Sequence, residues 1–425
     1  MKFTLTLSEV LINFLCFIFF SKLLQKMKLL YLSSVSSESL IDKLYQYNKL
    51  DPGFAVQKFS RLMVSGFIAN SESVIALTVP PISGTKGFGL FVNLNDEQEN
   101  GIKYKYIPFI NIPILKHICV TLYTFVYVLF WGMKNSSAKC IICDVLNVSA
   151  CSGALLASKI NRVTSLGVVT DIFNLMVNNH NNLIKKIIYK LANIIHDVYV
   201  KSFNKYVVLT NQMNEVVNPK GKPNIVVEGI CDVQILNRSN DKGVDKDIPR
   251  TILYAGGLYE KYGLKKLVDG FLQADIPNTK LVIYGDGPYV NQLKEVCSKS
   301  SNVEYRGVRP NSEVVQAEIK ATLLVNPRPT SEEFTKFSFP SKNMEYMATG
   351  TPVLTTRLPG MPLDYYPYIY TVDDESLDGF AAALKNTMMY SLDELMQRGQ
   401  NAKDFVLKEK NNKKQAERIL KLIKR

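Results

Sequence analysis

Residues 338–353, SFPSKNMEYMATGTPV, hold the pattern that decides the fold of the surrounding domain. Pro340 and Ser341 predict the start of a helix with a good N-cap, and the later glycine and proline predict its sharp end. Lys342 then lies in the first turn and Glu345 one turn further. A lysine beside unpaired N–H groups at the positive end of a helix dipole favours a bound diphosphate. Glu345 can accept hydrogen bonds from vicinal hydroxyls such as those of a ribose. The alternative is an ordinary amphipathic helix with a solvated Lys–Glu pair.

Strand and helix patterns alternate on both sides of this segment. Apolar strands such as Leu29–Val35 alternate with helical stretches such as Ile114–Met133, which indicates α/β domains with parallel sheets covered on both faces. The polar stretch 237–249 has the composition of a linker. We therefore predict domains at 27–236 and 250–395, the linker 237–249, and a charged C-terminal helix at 396–425 that returns to the first domain. Such domains bind ligands in the cleft that faces the carboxyl ends of their strands.

Composition supports more than one domain and an anionic partner. The chain has 425 residues, 47% of them hydrophobic, which is too many for one ordinary core. Its 51 Lys plus Arg against 38 Asp plus Glu give a net charge of +13. Such a charge attracts nucleic acid, phospholipid headgroups or phosphorylated substrates, and the charge alone does not choose among them.

The seven cysteines predict reduced, buried thiols rather than a disulfide framework, because the chain is long and they lie mostly in apolar runs. The spacing of Cys140 and Cys143 resembles half a metal or redox motif. Since no second cysteine or histidine pair lies nearby, we interpret the segment as a buried strand and expect neither a metal site nor a cofactor.

The first 26 residues form an apolar leader of uncertain kind. The stretch Phe3–Leu24 is interrupted by Glu9 and Asn13, which is weak for a spanning helix and for a signal peptide. We consider, in this order, a misassigned start ahead of Met27, a membrane anchor, and an amphipathic surface helix.

Glycines at two predicted strand ends indicate a ligand-binding rim. Gly256 and Gly257 follow one strand, and Gly285 follows the next. Glycines between a strand and a helix let the backbone approach a phosphate closely. Neither turn has the G-x-G-x-x-G spacing of a dinucleotide site.

Together, the Gly-Gly turn, the strand end Gly-Asp-Gly-Pro and the segment 338–353 resemble the C-terminal domain of retaining glycosyltransferases of family four, from about Thr251 to Pro362. The resemblance implies the α/β GT-B fold, with two Rossmann-like domains whose parallel sheets face an interdomain cleft. It further implies an acceptor-binding first domain and a nucleotide-sugar-binding second domain. In the first domain the resemblance is looser, and Gly53 lies where the family has a glycine loop.

The resemblance also assigns donor-binding roles. Glu345 corresponds to the second glutamate of the family's Glu-x7-Glu motif, expected on the ribose, and Lys342 with the backbone at Ser341 would hold the diphosphate. Gly285, Val308 and Arg309 would line the base pocket.

Two departures from the family pattern concern charge. Phe337 stands where the first glutamate is expected, so Glu333, or its neighbour Glu332, is the candidate substitute. Gly257 replaces a phosphate-binding arginine, which leaves Lys261 as the nearest cation. Because the leaving group is a nucleoside diphosphate, catalysis is expected to stabilise developing negative charge through Lys342 and the helix N-terminus. Asp171 is the candidate polar group on the acceptor side.

The acceptor is predicted from the distribution of basic residues. Lys185, Lys186 and Lys190 lie among Ile, Leu and Tyr in residues 182–203, at helical spacing. A basic amphipathic helix can lie on an anionic membrane, although an ordinary surface helix fits equally well. We therefore expect hexosyl transfer from a nucleoside-diphosphate sugar to a glycan or lipid-linked acceptor. The setting would be capsule or O-antigen biosynthesis at the inner face of the plasma membrane, with no nucleic-acid partner.

Three other functions are compatible with parts of the pattern. A same-fold inverting transferase or sugar-diphosphate epimerase would use the same donor site. A nucleotide-dependent oxidoreductase would use the glycine turns, although their spacing argues against it. A non-enzymatic module could bind anionic surfaces through its basic residues alone.

Overall fold

The computed structural model describes residues 27–48, 54–82, 89–134, 138–172, 194, 196–233 and 246–425. The chain divides into two compact units: the first comprises Met1–Val168, Ser202–Lys205 and Ile423–Arg425, and the second comprises Val169–Lys201 and Tyr206–Leu422. The leader 1–26, Gly53 and the three lysines Lys185, Lys186 and Lys190 lie outside the described residues.

The strands of the first half are β1 (Lys28–Ser33), β2 (Ser73–Thr78), β3 (Phe91–Val92), β4 (Glu97–Glu99), β5 (Ile102–Tyr106), β6 (Phe109–Ile110), β7 (Lys139–Asp144), β8 (Thr164–Val169), β9 (Lys205–Val208) and β10 (Asn224–Val226). Eight of them form one sheet in the order β10-β9-β8-β7-β1-β2-β5-β4. At its centre β1 pairs in parallel with β2 and β7, while β4 is antiparallel to β5. The strands β3 and β6 form a separate antiparallel pair.

The helices of this half are α1 (Glu38–Asn48), α2 (Phe54–Ala69), α3 (Pro113–Met133), α4 (Val148–Ile160) and α5 (Asn211–Val217). The central strands are covered on both faces, and Cys140 and Cys143 are fully buried in β7. Burial raises the pKa of Cys140 to about 12, which keeps this thiol protonated and unreactive at neutral pH.

The second half forms a six-stranded parallel sheet. Its strands are β11 (Arg250–Ala255), β12 (Thr279–Tyr284), β13 (Val303–Gly307), β14 (Leu323–Asn326), β15 (Val353–Thr356) and β16 (Tyr370–Val372), in the order β13-β12-β11-β14-β15-β16. The strands are connected by α6 (Leu264–Ala274), α7 (Val290–Lys299), α8 (Asn311–Lys320) and α9 (Ser341–Thr349), and α10 (Leu377–Met389) follows the last strand.

Two apolar cores cover the faces of this sheet. Side chains along a strand alternate between faces, so Ile252 and Tyr254 of β11 enter one core while Leu253 and Ala255 enter the other. The prediction of an α/β fold with parallel sheets is confirmed.

The C-terminal segment differs from the single helix predicted at 396–425. It consists of α11 (Leu392–Glu409), which starts with a capping box between Ser391 and Glu394, and α12 (Asn412–Lys424). The helices separate at Lys410, whose buried ammonium contacts Glu228 at 2.6 Å and Asp364 at 2.8 Å. At the far end, Lys424 pairs with Glu72 at 2.9 Å within the first unit.

Candidate functional site

The carboxyl edge of the second sheet gathers the predicted glycines. The Gly256 amide donates to the Tyr284 carbonyl at 3.1 Å, and the Gly285 amide donates to the Gly307 carbonyl at 3.0 Å. The strand ends of β11, β12 and β13 are thus joined side by side. This edge is where doubly wound sheets bind their ligands.

Gly285 occupies a position that only glycine fits. Its φ is +128°, and a Cβ there would lie 1.8 Å from the Gly256 carbonyl oxygen. The glycine is therefore required for the packing of the two turns, and this packing leaves backbone rather than side chains at the rim.

The turn after β13 is open to solvent. Val308 is 70% exposed, and Arg309 forms an exposed ion pair of 3.7 Å with Glu313. Their position beside Gly307 and Gly285 places them on the same edge as the glycine turns.

The helix α9 begins at Ser341, but Ser341 is not its cap. Pro340 holds the N-cap position, and no side chain forms a capping hydrogen bond there, so the prediction of a good N-cap was wrong. A proline has no side-chain acceptor to offer. The Asn343 N–H donates to the Pro340 carbonyl at 2.9 Å, whereas the N–H groups of Ser341 and Lys342 lack an intrahelical acceptor and point out of the helix end, as an anion site requires. The end of the helix at Gly350, with φ +81°, is as predicted.

Lys342 lies between two carboxylates. Its ammonium is 3.1 Å from Glu345 and 3.9 Å from Glu318. Glu318 belongs to α8 and is completely buried, whereas the Lys342 side chain is 36% exposed. Lys342 therefore lies at the carboxyl edge of the sheet, and the carboxylates of Glu345 and Glu318 balance its charge. No sequence pattern indicated Glu318, because it resembles any solvated glutamate on a helix.

A buried amide network fixes α9 to the strand ends. The Asn326 amide at the end of β14 donates to Asn343 at 2.7 Å, and Asn343 donates to Thr355 of β15 at 3.4 Å. One turn further, the Tyr346 hydroxyl accepts from the Ala255 amide at 2.9 Å and donates to the Ala255 carbonyl at 3.2 Å. These bonds set the position of Lys342 relative to the glycine turn.

Arg328, which the sequence reading missed, follows β14 on the same edge. Its guanidinium carbon lies 5.2 Å from the centre of the Tyr262 ring and 5.3 Å from that of Phe334. Among the described residues its buried Nε has no hydrogen-bond partner. Burial lowers the pKa of Arg328, yet an arginine stays charged in proteins.

The position of Arg328 depends on Gly263, the residue before α6. Gly263 has φ +83°, and a Cβ there would lie 1.9 Å from the carbonyl oxygen of Pro327. Lys261 lies 5.5 Å from the Tyr262 ring centre as well. Two cations, Lys261 and Arg328, therefore accompany one tyrosine at the start of α6. The Pro-Arg-Pro run at residues 327–329, directly after a predicted strand, is the sequence feature that could have indicated this arginine.

The remaining predicted residues, Glu333 and Asp171, form no ion pair with Lys342 among the described residues. Glu333 is exposed and opens a short 3-10 turn, Glu333–Lys336, which reaches the Arg328 cluster through Phe334. Asp171 follows β8 on the other sheet, where its carboxylate accepts from the Ile172 amide at 2.7 Å and burial raises its pKa.

Comparison with known proteins agrees with this geometry. Residues 249–390 match the family of glycosyl transferases group 1. No curated protein matches the chain in sequence. This domain match favours sugar transfer over the oxidoreductase that the glycine turns alone allowed.

Solved structures similar to the whole chain include the apo lipopolysaccharide outer core galactosyltransferase WaaB, with 16% identity, coverage of 93% of this chain and 99% of that chain, and a TM-score of 0.57. Anabaena HepE in complex with UDP has 13% identity, coverage of 94% and 99%, and a TM-score of 0.57. The E. coli trehalose-6-phosphate structure bound with UDP-2-fluoro glucose has 10% identity, coverage of 93% and 99%, and a TM-score of 0.61. At these identities the likeness shows the GT-B fold. Together with the group 1 domain at residues 249–390, it identifies the chain as a glycosyltransferase.

Proposed function

We propose that the protein transfers a sugar from a nucleoside-diphosphate sugar to a lipid-linked glycan, with retention of the anomeric configuration, during synthesis of a surface polysaccharide. The observation that carries the proposal is the Lys342–Glu345 pair at the start of α9, held at the carboxyl edge of a parallel sheet beside the glycine turns. The similar HepE structure contains UDP, and the similar WaaB is a lipopolysaccharide galactosyltransferase. Both support this choice of donor and pathway.

In the proposed complex, Glu345 changes partners. Without ligand it pairs with Lys342 at 3.1 Å. The ribose hydroxyls would take over the carboxylate, and Lys342 would then be available to the diphosphate together with the N–H groups at Ser341. In the exchange Lys342 keeps an anionic partner, and Glu345 keeps hydrogen-bond donors, so neither charged group loses its partners on binding.

The diphosphate carries more negative charge than Lys342 alone balances. Lys261 and Arg328 lie at the start of α6, next to the turn formed by Gly256 and Gly257. We assign Lys261 and Arg328 to the phosphate groups. There they would supply the positive charge of the family's phosphate-binding arginine, whose position Gly257 occupies in this chain. Gly285, Val308 and Arg309 would contact the base through the backbone and the open turn.

Catalysis in this proposal rests on charge stabilisation. As the bond between the anomeric carbon and the diphosphate oxygen breaks, the leaving oxygen gains negative charge, and preorganised cations stabilise it most strongly in the transition state. Glu333 would contact the donor sugar and Asp171 the acceptor hydroxyl, whose oxygen bonds to the anomeric carbon while its proton passes to the departing diphosphate. We place the enzyme in the cytoplasm, bound peripherally to the inner face of the plasma membrane.

The test is a transfer assay with single nucleoside-diphosphate sugars and membrane lipid extracts. We expect release of the nucleoside diphosphate and a lipid-extractable product whose anomeric proton coupling in NMR matches that of the donor. A product of opposite configuration would establish the inverting transferase, and an epimerised sugar diphosphate without transfer would establish the epimerase.

A further inference from the structure

The helix α3 presents an apolar ridge to solvent. Ile114, Ile118, Leu122, Val126 and Phe130 recur every four residues and are all exposed, Ile114 by 74% and Phe130 by 61%. The helix is long and apolar enough to cross a membrane by length and composition. A ridge of this size on a soluble surface marks a site of interaction.

The opposite ridge of α3 is fixed along α4. Val120, Thr124 and Val128 are buried, and they lie two residues, or roughly 200°, around the helix from the exposed ridge. The Thr121 hydroxyl near the middle of α3 donates to the Ser149 carbonyl at 2.9 Å, and the Asn161 amide donates to the Leu129 carbonyl at 2.8 Å near the C-terminal end of α3. Because one side of α3 is packed on α4, the helix can place its exposed side on a bilayer but cannot cross the bilayer.

The neighbouring strand pair extends the apolar surface. The Asn111 amide donates to the Leu90 carbonyl at 2.7 Å, which places the β3–β6 pair at the start of α3. Phe91 of β3 is 72% exposed there, and Leu90 is exposed as well. The surface therefore continues beyond the helix.

The charges around this surface are mainly basic. No aspartate or glutamate occurs in α3, and Lys134, Lys159 and Arg162 are exposed near its C-terminal end. Asp96 lies near Tyr127, but Lys105 neutralises it in an ion pair of 2.9 Å. Such a rim complements an anionic surface.

Aromatic side chains complete the pattern. Tyr123, Tyr127, Phe130 and Trp131, with Val126 and Lys134, surround a shallow depression of about 270 Å³. Rings with one polar edge, placed beside lysines, are typical of the boundary between lipid and water.

We infer that the outer face of α3, together with Phe91, docks on an anionic lipid bilayer. The apolar ridge enters the headgroup region, and the basic rim binds the lipid phosphates. This deepens the membrane part of the proposed function, on which it rests for its biological meaning, because the bilayer would carry the lipid-linked acceptor. A second copy of the chain is the competing occupant, but two such basic rims would repel each other.

Trp131 makes the test direct, because it is the only tryptophan of the chain. Titration of the full chain with phosphatidylcholine vesicles containing phosphatidylglycerol should shift Trp131 emission to the blue, and brominated lipids should quench it. Pure phosphatidylcholine should bind more weakly, and added salt should weaken the anionic binding. Leu122→Glu with Phe130→Glu should reduce partitioning roughly tenfold or more, since two exposed apolar side chains would no longer enter the lipid.

The matched control is Leu363→Glu with Met389→Glu, two residues of the second unit that are 83% and 76% exposed. This double variant has the same charge change and should bind like the parent, and both variants keep the leader 1–26. The inference is overturned if the parent leaves Trp131 unshifted, if both double variants lose binding equally, or if the Leu122/Phe130 variant only dissociates a dimer in sedimentation. Nucleoside-diphosphate binding measured without lipid would be unchanged by any of these results, so failure here is separable from failure of the proposed function.

Discussion

Lys342 has two carboxylate partners of different kind. Glu345 is one turn away on the same helix and partly exposed, so it can turn to a ligand, whereas Glu318 comes from α8 and is completely buried. The i, i+3 spacing predicts the first contact from sequence. The second depends on the packing of α8 against α9, which no local pattern contains.

The exchange of Glu345 between Lys342 and the ribose predicts opposite effects on two ligands. In Glu345→Ala, affinity for the cognate nucleoside diphosphate should fall roughly tenfold, because hydrogen bonds to the charged carboxylate are lost. Affinity for pyrophosphate should stay equal or increase, because Lys342 loses a competing anion. Isothermal titration calorimetry of both ligands measures this, and a parallel loss for the two would contradict the exchange.

The Nε of Arg328 is buried and has no hydrogen-bond partner among the described residues, which predicts that ligand binding rather than stability explains this arginine. Arg328→Met should leave the ligand-free Tm unchanged or higher, since a buried N–H without an acceptor is removed. Affinity for the nucleoside diphosphate should fall roughly tenfold to a hundredfold, as expected for one charge-assisted contact. A lower Tm with unchanged affinity would show that the arginine only supports the Tyr262 and Phe334 rings.

Asp144, at the end of β7, gives a pH dependence to the first unit. Burial raises its pKa from 3.8 to about 6, although the Leu146 amide and Asn147 donate hydrogen bonds to it. A raised carboxyl pKa means that its contribution to stability is fully present below about 3.8 and is lost as the pH rises through about 6.

Asp144→Asn should therefore stabilise the protein at pH 7.5 by at most about 3 kcal/mol, with little change near pH 4. Rotation of the Asn147 amide would restore its hydrogen bond. Urea unfolding at both pH values checks this, and equal stabilisation at the two would contradict the ionisation argument.

At the scale of elements, α9 shows what sequence patterns can and cannot predict. Its predicted extent was close to Ser341–Thr349, because Pro340 and Gly350 act locally. The absence of a side-chain capping hydrogen bond at its start was not predicted, because the packing of the preceding loop decides which residue occupies the N-cap position. The strands β3, β4 and β6 have two or three residues, too few to show a period. The break between α11 and α12 depends on the distant partners of Lys410.

The anchoring of α9 to β11 predicts a coupled loss of stability and activity. Tyr346→Phe removes both hydrogen bonds with Ala255 and should destabilise the protein by about 1–3 kcal/mol, because buried polar groups lose a partner. It should also lower kcat, since Lys342 is then less well positioned. Tyr390→Phe is the control, because Tyr390 is 45% exposed. If stability falls while kcat stays unchanged, the Tyr346–Ala255 hydrogen bonds support the fold but do not position Lys342.

At the scale of the whole molecule, the sequence was sufficient for the class of fold and for the glycosyltransferase resemblance of the second half, which the group 1 match at residues 249–390 supports. Near-continuous apolar strands that alternate with helices indicate parallel sheets, because helices cover both faces of such sheets. The division of the chain at 237–249 stays a prediction, as does the membrane role of residues 182–203. The apolar run of α3 was visible in the sequence, but a buried helix has the same composition. Only the packing of α3 on α4 shows which of its sides faces solvent.

The central claim is that a nucleoside diphosphate binds at the start of α9, and the shift in Tm on adding UDP, GDP and other nucleoside diphosphates tests it most directly. We predict that at least one raises the Tm of the parent and of Lys299→Ala, a control lysine in the exposed i, i+4 pair with Glu295. The same ligand should shift Lys342→Ala much less, since the cation nearest the helix N-terminus is gone. A parent Tm unmoved by every nucleoside diphosphate, or an equal shift in Lys342→Ala, would contradict the account.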